Sequence, residues 1–162
     1  MTETTAGTSI RHQINVDVPV DRAFRIFHEQ WDKIKPHDHN PHSSPVVESI
    51  FEPRAGGHLY DRHEDGTETR WSRVLEFEPP RRFVISWDLG PQWQVEADHD
   101  HCSEVEVTFT AIDEDHTRVD LEHRYLDRHG DGWEAVRGGV DSPGGWPLYL
   151  QRFAQRCGST SW

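Results

Sequence analysis

Apolar and polar residues alternate through "INVDV", with Ile14, Val16 and Val18 on one side and Asn15 and Asp17 on the other. That two-residue period predicts a strand with one buried face, ended by Pro19. The period then changes: Val20, Ala23, Phe24, Phe27 and Trp31 recur at helical spacing, while Arg22, Arg25, His28 and Glu29 occupy the rest of the turn. An amphipathic helix is expected over 20–31. Residues 33–45, "KIKPHDHNPHSSP", have no period and carry three prolines, which predicts a long loop.

Beyond this loop, short alternating runs are separated by turn-forming residues. "VVESIFEP" precedes Gly56-Gly57, and "HLYDRHE" precedes Asp65-Gly66, a dipeptide suited to the left-handed positions of tight hairpins. "TETRWSRVLEFE" sets Trp71, Arg73, Leu75 and Phe77 on one face, and "RRFVISW" does the same with Phe83, Ile85 and Trp87. Between them, Pro79 and Pro80 cannot donate to a ladder and mark the turn. Arg81 and Arg82 are expected to be solvated or paired with Glu76 and Glu78. "SEVEVTFTAID" and "TRVDLEHRYL" form the clearest hairpin, with Val105, Val107 and Phe109 facing inward on one strand and Val119, Leu121, His123 and Tyr125 on the other.

Ser142 and Pro143 read as the cap and first position of a final helix. Trp146, Tyr149, Leu150, Phe153, Ala154 and Cys157 follow at helical spacing, and Gly158 is the stop. Gly138-Gly139 and Gly144-Gly145 read as helix breaks and turns. The order strand, helix, meander, helix predicts an α+β fold, a curved antiparallel sheet of six to seven strands wrapped around a long C-terminal helix. One domain over 10–157 is expected between a disordered tail at 1–9 and a short tail at 158–162.

Only 33% of the residues are hydrophobic and mean hydropathy is -0.85, so the core depends on 7 Trp, 7 Phe and 3 Tyr. A net charge of -12 argues against wide contact with phosphate backbones or anionic lipid, so neither nucleic acid nor membrane is an expected partner. With no secretory pattern in "MTETTAGTS", the chain is expected to be cytoplasmic, as a monomer or homodimer. Cys102 and Cys157 match no close-spaced redox or zinc motif and are expected as free thiols.

Several stretches in order resemble the bacterial relatives of the activator of Hsp90 ATPase, within the START-like, Bet v 1-like helix-grip (SRPBCC) superfamily. They are "INVDVPVDRAFRIF", "PRAGG" at 53–57, Asp65-Gly66, "VLEFEPPRRFVISW" at 74–87, "SEVEVTFT" at 103–110, "TRVDLEH" at 117–123 and "GWPLYLQRF". The likeness covers 10–156. It departs from the family pattern in the His- and Pro-rich loop after the first helix, and at "TRWSRVLEF", where a glycine would precede the valine.

The resemblance implies a deep cavity between sheet and C-terminal helix, used across the superfamily for lipids, hormones and polyketides. Its expected lining is Trp71, Phe83, Ile85, Trp87, Phe109, Leu121, His123, Tyr125, Trp146, Tyr149 and Phe153, each of which is otherwise an ordinary core residue. His123, on an apolar face, is the most pointed polar candidate: it orients a ligand, acts as acid or base, or is a core histidine bonded to a neighbour. His37, His39 and His42 beside Asp38, and His99, His101 and Cys102, are histidine clusters without a known ligand motif, so no metal is assigned. No phosphate loop, dinucleotide fingerprint or nucleophile elbow is present, and no cofactor is expected. These features favour a non-catalytic binder of an apolar or aromatic, lipid- or polyketide-like molecule. The alternatives are an acid–base enzyme on a cyclic or polyketide-like substrate, using His123, and a chaperone-activator-like interaction module.

Overall fold

The alternation of Ile14 and Val16 places β1 at Ile10–Val16, and its buried face is fixed by antiparallel pairing with β7 (His116–Arg124), Ile14 opposite Val119. The computed structural model describes residues 7–40 and 43–158. Within it, β2 (Val46–Phe51), β3 (His58–His63), β4 (Glu68–Glu78), β5 (Arg82–Trp87) and β6 (Ser103–Asp113) complete one seven-stranded sheet, ordered β1-β7-β6-β5-β4-β3-β2 with every neighbour antiparallel. The helices are α1 (Val20–Glu29), a four-residue α2 (Trp31–Ile34), α3 (Trp133–Asp141) and α4 (Trp146–Arg156). This is the α+β helix-grip fold, with α4 held in the curve of the sheet. Among the described residues no helix is long and apolar enough to cross a membrane.

Part of the concave face is filled from within. Phe24 and Phe27 of α1 are buried, and their rings lie 6.0 and 5.3 Å from Phe83, with Phe27 also 5.0 Å from Phe153. Edge and tilted contacts of this kind add about 0.5–1.5 kcal/mol each beyond the area they bury. The helical spacing of two phenylalanines thus becomes a plug that closes one half of the sheet and leaves the other open.

Two features depart from the strand pattern. Register shifts flank Trp71 and Leu75 in β4, so Trp71 and Val74 both turn inward while Leu75 is only half-buried. A bulge inserts an unpaired residue and breaks the period of two, which is why the face expected from Trp71, Arg73, Leu75 and Phe77 does not persist. Arg73 instead reaches Asp88 at 3.1 Å. Arg82 pairs with Glu76, Glu78 and Glu106 at 2.6 to 2.7 Å, and Arg81 with Glu78 at 2.9 Å, the paired state expected of this basic turn.

The second departure is α3. Gly138 and Gly139, expected as a break, lie inside it, and burial of Val136 and Val140 outweighs the roughly 1 kcal/mol per glycine that a helix interior loses. Ser142 is correspondingly not the cap of α4: its hydroxyl donates back to Gly139 O at 2.7 Å and closes α3. The last helix starts at Trp146, after Gly145, with Pro147 in its first turn. A Cβ on Gly145 would overlap the Val140 carbonyl and stand 2.7 Å from Gly139 O. We expect Gly145→Ala to lower the urea-unfolding free energy by about 1–3 kcal/mol, since backbone atoms cannot yield as a side-chain tip can. A variant within error of the parent would mean that the corner between the two helices is loosely packed.

At the N-terminus, Thr8 O accepts from Leu126 N at 3.0 Å and Gly7 O from Arg137 at 2.7 Å. Of the tails expected at 1–9 and 158–162, residues 1–6 and 159–162 lie outside the described residues.

A tryptophan-walled cavity with one polar side

The half of the sheet that α1 leaves open borders a cavity of about 450 Å³. Trp71 of β4 and Trp87 of β5 form its floor, Trp146 and Tyr149 of α4 one wall, and the corner from Gly139 to Gly145 another. Trp93 covers the mouth from a small hairpin closed by the Leu89–Val95 bridge. Its backbone has φ 60, and its indole lies so close over Gly139 that a Cβ there would meet Cζ2 at 2.6 Å. This size and these walls suit a small apolar or aromatic molecule.

The polar side comes from the loop after α2. Lys35 follows the last turn of α2, its N–H bonded to Trp31 O at 2.9 Å, and Pro36 prevents continuation. Its side chain therefore leaves a helix end and runs inward, 4% exposed. Nζ donates to Asp61 Oδ2 at 2.9 Å and His39 O at 2.8 Å, and lies 5.6 Å from the Trp71 ring centroid. Asp61, fully buried, takes the Ser49 hydroxyl on its other oxygen at 2.8 Å. Burial pushes the Lys35 ammonium below its ordinary value, although Asp61 works the other way. His39 Nδ1 and the Tyr149 hydroxyl meet at 2.9 Å. Burial lowers the imidazole and raises the phenol, so the neutral forms of both are favoured. When Nδ1–H donates to the phenol oxygen, His39 keeps a basic lone pair on Nε2 and Tyr149 keeps a free O–H. That tautomer offers a base and an acid side by side.

Of the residues expected to line a cavity, Trp71, Trp87, Trp146 and Tyr149 do so. Phe83, Ile85, Phe109, Leu121 and Phe153 are buried in the core; α1 covers Phe83, Phe109 and Phe153 directly. Tyr125 is misplaced by strand parity: β7 ends at Arg124, Tyr125 takes φ 60, and its ring is 43% exposed, 4.1 Å from the Arg128 guanidinium.

His123 faces inward as parity requires, and lies outside the cavity lining. Trp146 Nε1–H donates to its Nδ1 at 3.1 Å, so the neutral ring must carry its proton on Nε2 and donate to Ser103 Oγ, 2.7 Å away. Ser103 then donates to His129 Nε2 at 2.7 Å, leaving the His129 proton on Nδ1. Burial, aided by His129, pushes His123 down to about 3. It is a core histidine that fixes the tilt of a cavity-wall tryptophan.

The loop histidines are engaged individually. His37 meets Asp32 at 2.7 Å, His39 meets Tyr149, and His42 lies outside the described residues. His99 and His101 are exposed on a short 3₁₀ turn, and the Cys102 thiol, pushed up to about 12 chiefly by burial, donates to Asp98 O at 3.5 Å. Among the described residues no group of three or more His, Cys, Asp or Glu is placed to hold a metal ion. Cys102 and Cys157 are both free and buried.

A family model described as Activator of Hsp90 ATPase homolog 1-like protein matches residues 17–158. No curated protein matches the sequence. Among solved structures, an anthrahydroquino-gamma-pyrone synthase, Txn09, is 35% identical with a TM-score of 0.65, over 92% of this chain and 96% of that one. CalC from Micromonospora echinospora, a self-sacrificing resistance protein, is 30% identical with a TM-score of 0.69, over 93% and 94%. CalU16 from the same organism, 20% identical over 92% and 75% with a TM-score of 0.56, shares the fold. The expectation of a non-catalytic binder is corrected here, because relatives at this level of identity include a synthase and a protein that sacrifices itself.

Proposed function

Because the chain belongs to the Activator of Hsp90 ATPase homolog 1-like family and sets acid–base groups against tryptophan walls, we propose that it is an enzyme closing a ring on an aromatic, polyketide-like substrate. One observation carries the reading: His39, Tyr149 and Lys35 converge on one side of a cavity whose other walls are mainly indole rings, Leu89, Val140 and glycine backbone. Two or more titratable groups in an otherwise apolar pocket is the arrangement that proton-transfer chemistry needs. The likeness to a gamma-pyrone synthase supports a substrate of fused aromatic rings.

Closure of a gamma-pyrone from an ortho-hydroxyaryl 1,3-diketone requires few parts. The phenolic oxygen adds to the remote carbonyl carbon while its proton passes to a base, and the carbonyl oxygen takes up a proton. The resulting hydroxyl then leaves as water with a proton from the intervening CH₂. His39 is the base, the Tyr149 O–H is the acid, and a Lys35 N–H donates to the carbonyl oxygen as its charge grows. The tryptophans hold the ring system flat and exclude water.

The test uses an anthrahydroquinone bearing an ortho hydroxyl and a 1,3-dioxoalkyl chain, with loss of one water followed by mass spectrometry. We expect faster closure with the protein than without it, and a drop in turnover on the order of 10²-fold for both Tyr149→Phe and His39→Ala. Equal rates with and without the parent protein would refute ring closure. Unchanged turnover in both variants would remove the pair from the chemistry.

A further inference from the structure

The chain carries 15 arginines and only two lysines, Lys33 and Lys35. At the part-buried pair of Arg73 with Asp88 the cation is a guanidinium in two-pronged contact, Nε and Nη2 each at 3.1 Å from a carboxylate oxygen. At the cavity the cation is instead a lysine. A guanidinium is the stronger partner for a buried carboxylate and stays protonated at any working pH, whereas an amine can lose its proton and attack. Among the described residues, two of the three N–H bonds of Lys35 have protein partners, Asp61 Oδ2 and His39 O, and the residue lines the cavity beside Trp71. Asp61 stands 2.9 Å away as a proton acceptor, and burial already weakens the hold of the nitrogen on its proton.

We propose that Lys35 is a covalent amine, condensing with a ketone or aldehyde carbonyl of the molecule in the cavity to give an iminium. Asp61 takes one ammonium proton, and the freed lone pair forms the C–N bond as the carbonyl π pair moves to oxygen. That oxygen is protonated from Asp61. A second nitrogen proton then returns to Asp61 and leaves with the hydroxyl as water while C=N forms. Two of the three ammonium protons depart in the water, and the third stays on the iminium, whose positive charge replaces that of the ammonium opposite Asp61. For a 1,3-diketone the iminium carbon is a stronger electrophile than the ketone. The phenol oxygen attacks that carbon as its proton passes by way of His39 to the amine nitrogen; the amine then leaves and takes up the CH₂ proton, which closes the ring and regenerates the Lys35 ammonium. This deepens the ring-closing reading by replacing the hydrogen bond from Lys35 to the carbonyl oxygen with a covalent bond to its carbon, and rests on that reading for the identity of the carbonyl compound.

The experiment is reductive trapping of the whole protein with 2-naphthaldehyde and cyanoborohydride, the adduct located by peptide mapping. Exposed Lys33 serves as the internal control. We expect Lys35 to be modified on the order of tenfold faster than Lys33, because the cavity walls hold the naphthyl carbonyl against its nitrogen while Lys33 has only solvent around it. Lys35→Arg, which keeps the charge, should lose that adduct and retain modification of Lys33. Calorimetry with 2-naphthol, which has no carbonyl, separates the two ideas. Naphthol binding without a faster adduct at Lys35 overturns the covalent amine and leaves the cavity reading standing. Absence of both binding and adduct overturns the two together.

Discussion

Asp61→Asn is expected to lower the unfolding free energy by about 3–5 kcal/mol, read as a fall in the urea midpoint at unchanged slope. The size comes from what remains behind. Lys35 is 4% exposed and Asp61 0%, so removing the carboxylate charge leaves a buried ammonium without its counter-ion. The pair itself is weak evidence for stability, since desolvating two ions offsets much of their attraction. The double variant Lys35→Met, Asp61→Leu is therefore expected to recover most of the loss while abolishing any chemistry at the cavity. A loss below about 1 kcal/mol for Asp61→Asn would show the pair to be as hydrated as a surface ion pair.

Acid unfolding supplies the second large effect. His123 is held near 3 in the folded chain against 6.5 when unfolded. Between these values the unfolded state binds a proton that the native state refuses, so stability falls as pH drops from 6.5 toward 3 and levels off below. For this one group the loss is on the order of 4–5 kcal/mol. Burial of His129 acts in the same direction, whereas His116, raised by Asp113 at the surface, acts in the opposite one. His123→Phe should flatten the slope across this window. At neutral pH it should also cost about 1–3 kcal/mol, because the Trp146 N–H and the Ser103 hydroxyl lose their partner. Urea titrations of both proteins at pH 7, 5 and 4 measure both effects. A variant as stable as the parent at pH 7 would mean that the Trp146–His123–Ser103–His129 chain does not hold the wall.

Wherever one period governs an element, the sequence was sufficient. Ile14 and Val16 set β1, Phe24 and Phe27 set α1, and parity through Val119 and Leu121 turned His123 inward. Parity failed where the backbone left the strand: the bulges beside Trp71 and Leu75, and the left-handed Tyr125, each depend on neighbours that a one-dimensional pattern does not contain. Gly138-Gly139 hid a helix, because the close approach of Trp93 that uses the missing side chain is a tertiary fact. At the site, four of the aromatic residues were legible as inward-facing. Periodicity could not tell which part of the concave face α1 would fill, so Phe83, Phe109 and Phe153 could not be separated from Trp71 and Trp87. Lys35 was missed entirely, and His39 was weighed only for metal, because both lie in the aperiodic loop. The available signal was compositional: a lysine beside prolines and histidines in a chain that otherwise prefers arginine.

Trp31, Trp71, Trp87 and Trp146 stand in a row, with successive ring centroids 6.3, 5.3 and 5.5 Å apart. Indoles at such spacing pass electronic excitation along the row faster than they emit it, so the four behave optically as one antenna with three members at the cavity wall. Ultraviolet light absorbed at Trp31, behind the wall, reaches whatever lies against Trp71, Trp87 or Trp146. Any aromatic molecule that accepts this excitation is expected, once in the cavity, to dim the whole row, so that the native emission of the unlabelled protein reports its arrival and departure.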